Sequence, residues 1–155
     1  LIALQFSFLF ISAALMSGML FVGCTRSYPY ATMEGESVPP LEEGIEHDEM
    51  TIDLGYRGER PQAGAEIEPV VEITKAGSPI ADAMVFVSLV SSDSEELLAK
   101  EVATVYETSP DRTRGLYAQG KLQIPAGQQE AAIRYRIVFA DADDAWERDV
   151  EIPLR

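Results

Sequence analysis

The chain has 155 residues, with 12 lysines and arginines against 26 aspartates and glutamates, for a formal net charge of -14. Such a surface repels phosphate backbones, so nucleic acid is excluded as a partner class. Cys24 is the only cysteine, which rules out an internal disulfide, and the length after a leader suits one domain with one packed core.

Residues 1–23, LIALQFSFLFISAALMSGMLFVG, carry no charge and gather Gly, Ser and Ala in their second half. As a helix rising about 1.5 Å per residue, this run just spans a bilayer core of roughly 30 Å. It therefore reads as a hydrophobic signal helix, or alternatively as a permanent single span in a membrane complex. Leu1 stands where a start methionine is usual, so the basic region that precedes a signal's apolar core is expected upstream.

The stretch Leu20-Phe21-Val22-Gly23-Cys24 resembles the lipobox of bacterial lipoproteins, with Phe21 where leucine is commonest. The resemblance implies cleavage before Cys24, a diacylglyceryl group on its thiol and an acyl chain on the new amino terminus. Several chains at about 0.8 kcal/mol per buried methylene make a lasting anchor where one alone is marginal. It further implies a periplasm-facing protein of the cell envelope. Thr25, where aspartate would mark inner-membrane retention, leans the assignment toward the outer membrane.

Residues 24–49 read as a tether. Between Ser27 and Glu49 lie seven carboxylates, the adjacent Pro39 and Pro40, and the turn formers Pro29, Gly35 and Gly44. One sign of charge with little apolar surface cannot offset chain entropy, so a disordered acidic linker is expected there.

From Met50 to Arg155 the pattern changes to period-two alternation in short runs divided by turn signals. Ile52, Leu54 and Tyr56 alternate in the first run, and EIEPVVEIT follows after a break rich in glycine and proline. AMVFVSLVS, with Met84 read as core, is expected to be a central strand buried on both faces. LLAKEVATVY has good helix formers at its start, but Val102, Thr104 and Tyr106 carry period two and favour a strand. Leu116, Ala118, Leu122 and Ile124 form the next apolar face, with Gly120 marking a bulge or close contact. Ile133, Tyr135, Ile137 and Phe139 give the cleanest one-face-buried strand, and Trp146, Val150, Ile152 and Leu154 close the chain. The expected fold is all-β, an immunoglobulin-like sandwich of about seven strands.

The run VEITKAGSPIADAMVFVSL, with Gly77, Pro79 and Ala83, is similar to the opening of YtkA-like and FixH-like immunoglobulin-fold domains of bacterial envelope proteins. GLYAQGKLQIPAG, from Gly115 to Gly127, resembles their later glycine-tyrosine segment, so the likeness covers roughly residues 66–154. FixH-like proteins are associated with copper delivery to haem-copper oxidases, which implies a metal-handling accessory as one function.

Copper prefers thiolate, thioether and imidazole. Once Cys24 is lipidated, the soft donors are His47, the only histidine, with Met33, Met50 and Met84. His47 and Met50 lie close together in HDEM and are the candidate ligands, opposed by the reading of a solvated acidic segment. Asp141, Asp143 and Asp144 in DADD place carboxylates at a spacing suggestive of a calcium loop, but the glycine and distal bidentate acid are missing. A polar hairpin turn accounts for them without any ion. Arg112 and Arg114 form the one local basic spot.

No nucleophile with an adjacent base, phosphate-cradling loop or dinucleotide fingerprint is present, so no catalytic residue is assigned. No cofactor is expected beyond the covalent lipid. The expected function is a non-catalytic, membrane-anchored binding or scaffolding module for a protein partner in the envelope. The alternatives are copper handling and an uncleaved membrane subunit.

Overall fold

The computed structural model describes residues 38–155. The expectations for the signal helix, Cys24, Met33 and the first part of the tether lie outside the described residues.

Among the described residues, eleven strands build two antiparallel sheets. The larger sheet contains β1 (Pro40–His47), β2 (Met50–Arg57), β3 (Glu66–Lys75), β8 (Gly115–Ala118) and β7 (Val105–Thr108) in that order. Two short strands, β4 (Ser78–Pro79) and β9 (Leu122–Gln123), also pair with β3. The smaller sheet runs β11 (Trp146–Glu151), β10 (Ala132–Val138), β5 (Met84–Val90) and β6 (Leu97–Ala103). The all-β, two-sheet reading of the sequence holds. No described residue is in a helix.

Alternation decides which side chains fill the space between the sheets. Ile52, Leu54 and Tyr56 of β2, Ile67, Val71 and Ile73 of β3, and Tyr117 of β8 face Val85, Val87 and Leu89 of β5 and Ile133, Tyr135 and Ile137 of β10. All are buried. Each fully buried aliphatic chain contributes roughly 1.5–3 kcal/mol relative to exposure. Tyr135, the largest of the fully buried residues, sends its hydroxyl across the core to donate to the Gly55 carbonyl at 2.9 Å. One hydrogen bond thus ties the small sheet to the large one, in a setting where an unmet carbonyl would be costly.

The tether boundary expected at residue 49 is corrected by the sheet, because Pro40–His47 is strand β1, paired along β2 from Pro40↔Gly55 to His47↔Met50. Composition hid it. Only Leu41 and Ile45 turn apolar groups to the core, the register is bulged twice, and the carboxylates between point outward. Glycine at 55 permits the entry of this strand, since a Cβ there would lie 2.7 Å from the Pro39 carbonyl oxygen. A charged clasp between Arg148 of β11 and Glu42 of β1 joins the rims of the two sheets.

The run LLAKEVATVYE is strand, as its period predicts, but it serves both sheets. Thr104 marks the crossing, with its N–H and its Oγ1 hydroxyl both donating to the Val85 carbonyl at 2.9 Å. Pro69 lies opposite Tyr56 in the β2 ladder, and on the other edge of β3, where it has no N–H to offer, it falls between the pairing of Val71 with β8 and that of Glu66–Ile67 with β9. Met84 corrects its core assignment. It opens β5 on the outward side and is 58% exposed.

Candidate functional site

Two tight hairpins stand side by side at one end of the large sheet. His47 pairs with Met50 around Asp48 and Glu49, and Lys75 pairs with Ser78 around Ala76 and Gly77. Met50 is also the register partner of Lys75, so the two turns are neighbours. All four turn residues have positive φ, at 44° and 65° in the first hairpin and 50° and 78° in the second. That geometry matches the right-handed twist of the strands, but only Gly77 adopts it without steric cost. The strain at Asp48, Glu49 and Ala76 is held by the ladders on either side.

The loop between β10 and β11 comes over these turns from the smaller sheet. It begins at Phe139, whose carbonyl accepts the Ala142 N–H at 3.2 Å. Between turns and loop opens a cleft of about 320 Å³, with Met50, Ile80, Phe139, Ala140 and Ala142 as its apolar lining. Asp48, Asp82, Asp141 and Lys75 complete the wall. Ile80 is placed by its N–H, which donates to Ile73 O at 2.9 Å, and by its carbonyl, which accepts from the Tyr117 hydroxyl. Tyr117 Oη also accepts the Ala83 N–H at 3.1 Å. Burial raises its pKa to about 12. That one phenol joins the SPIADA and GLYA stretches, far apart in sequence.

His47 flanks the cleft. Its ring stacks on Phe139, with centroids 5.5 Å apart and planes at 28°, and lies 6.3 Å from the ring of Trp146. Its Nε2 is 3.5 Å from Asp48 Oδ2. Lys75 Nζ reaches Glu49 at 3.1 Å, with both groups more than half exposed, a pairing that contributes little to stability. Among the described residues, the cleft therefore keeps three carboxylates against one already partnered ammonium.

Of the candidate metal ligands, Met50 and Asp141 meet in this cleft, with His47 at its side. Asp143 and Asp144 stay exposed in the loop beyond. Among the described residues, no group of three histidine, cysteine or acidic side chains is arranged to hold a metal ion. Sequence reasoning passed over Lys75, Ile80 and Asp82, which lie in an ordinary turn region, and read Phe139 only as core. No local signal marks them, because the cleft is made by loops from both sheets. The basic spot at Arg112 and Arg114 is reduced by pairing, as Arg114 Nη2 meets Glu72 Oε2 at 3.3 Å.

A second hollow, of about 280 Å³, lies on the outer face of the large sheet between Val38, Pro40 and Glu43 on one side and Glu72, Arg114 and Leu116 on the other. Beside it a buried charge network crosses the strands. Arg57 donates to Glu68 at 2.8 Å and to Glu107 at 3.0 Å, and Gln119 Nε2 donates to the other oxygen of Glu107 at 2.6 Å. Every oxygen of Glu107 is met although its side chain is only 2% exposed. Such saturation marks a structural element of the sheet.

No family model matches the chain, and no curated protein or solved structure matches it.

Proposed function

We propose that this is a lipid-anchored protein of the bacterial cell envelope whose β-sandwich is a non-catalytic binding module, offering the cleft at the β1–β2 and β3–β4 turns to a protein partner. The observation that carries the reading is directional. The chain enters the sandwich at Val38 and Pro39, beside Gly55, and β1 then runs its eight residues to His47 at the cleft. At about 3.3 Å per residue the strand spans roughly 25 Å, which puts the cleft at the end remote from where the tether arrives. With Cys24 as the lipid-bearing residue, the tether joins the domain at the end opposite the turns and the β10–β11 loop, which leaves that end free to meet a partner. The LFVGC stretch and the abrupt polarity after it support the anchor. The Gly77, Pro79, Ala83 and Tyr117 pattern supports a domain of the YtkA-like or FixH-like kind. Metabolic labelling with a fatty acid tests the anchor: the native protein should take up the label and Cys24→Ala should not, and equal labelling of that variant would contradict it.

A copper-handling reading has one observation of its own, the cross-strand pairing of His47 with Met50. A copper titration decides it, because binding no tighter than to His47→Ala removes it.

A further inference from the structure

We infer that the cleft receives a basic side chain flanked by apolar ones, presented by an exposed segment of the partner protein. The inference rests on the binding-module reading above and adds the chemistry of the occupant. Two independent properties of the cleft point the same way. Its lining is apolar through Met50, Ile80 and Phe139, a surface that gains by leaving water. Its rim carries Asp48, Asp82 and Asp141, and Lys75, the one cation lining it among the described residues, already leans to Glu49. An acidic second copy of this chain would meet repulsion, while a lysine or arginine between apolar neighbours satisfies both surfaces. The volume of about 320 Å³ is at the lower limit of small-molecule sites, which run from about 300 to 1,000 Å³, and suits one or two side chains. The turn residues Asp48 and Glu49 are fixed by strand pairing on both sides, so the acidic rim is set before a partner arrives.

Trp146, the only tryptophan, reports on this end of the molecule through its contact with His47 beside Phe139. The native protein in detergent is titrated with a short capped peptide alternating leucine and lysine, and Trp146 emission is followed. Leucine–glutamine and serine–lysine peptides serve as comparisons. The leucine–lysine peptide should bind best, and its affinity should fall as salt rises. Asp48→Asn with Asp82→Asn and Asp141→Asn should weaken it about tenfold relative to a charge-matched variant carrying Glu59→Gln, Asp93→Asn and Glu96→Gln. All six positions are exposed, and asparagine tolerates the positive φ at 48, so both variants should melt like the parent. Equal affinity of the two variants, equal affinity for the leucine–glutamine peptide, or displacement of the peptide by calcium alone would overturn the inference. An unacylated Cys24 would remove the anchor and leave this titration unchanged. A failed titration of acylated protein removes only the occupant.

Discussion

Replacing Arg57 by methionine probes how the outer face of the large sheet is held. Arg57 is 14% exposed and binds Glu68 and Glu107 from strands on either side of β8, while Glu107 is 2% exposed. Removing the guanidinium leaves Glu107 buried with Gln119 as its remaining neutral partner. Breaking a buried pair from one side costs about 3–5 kcal/mol, and the partial exposure of Arg57 and Glu68 places this case near 3. A domain of this size loses about 4 °C of melting temperature per kcal/mol, so Arg57→Met should lower it by about 12 °C. Adding Glu107→Leu to Arg57→Met removes the stranded charge and should restore at least half of the loss. Urea denaturation of the parent, both single variants and the double closes the cycle. A loss below about 1 kcal/mol for Arg57→Met, or strict additivity in the double, would refute the claim that the pair is desolvated and coupled.

Tyr135→Phe removes the donor to Gly55 O and should cost about 1–3 kcal/mol by urea denaturation, and no change would show that the inter-sheet bond contributes nothing. Burial raises the phenol pKa of Tyr135 and Tyr106, and holds Tyr117 near 12 against a usual value of 10. The folded state therefore keeps these protons more tightly than the unfolded chain, so their contribution to stability is complete below pH 10 and fades as pH rises toward 12. Absorbance of phenolate should show them ionising together with loss of near-ultraviolet dichroism, and free titration near pH 10 in a folded protein would contradict the burial. Gly120→Ala would set a methyl 2.9 Å from Val87 Cγ2 and 3.1 Å from Thr104 Cγ2. Overpacking of that kind costs about 1–3 kcal/mol, read as a lower urea midpoint at unchanged slope.

These positions also show how far the sequence could be read. Period two placed Ile52, Leu54, Tyr56, Ile133, Tyr135 and Ile137 between the sheets because a pleated strand with one wet face permits no other arrangement. Gly120 gave itself away as a residue without room for a side chain. Pro40–His47 did not, because an edge strand with two inward apolar residues has the composition of a linker and is specified by its ladder to β2. Thr104 hides in an unbroken alternation, since the change of sheet is fixed by Val85 opposite it. The cleft was half legible. HDEM and DADD stood out separately for their donors, but that Met50 and Asp141 share a wall with Ile80 and Asp82 follows only from the packing of loops from both sheets.

The most direct test of the account is the intact mass of the protein extracted from native membranes, with fragmentation of its amino terminus. The account predicts a chain beginning at Cys24, with a diacylglyceryl thioether and an amide-linked acyl chain on that residue. Residues 1–23 still attached, with no acyl mass on Cys24, would contradict it.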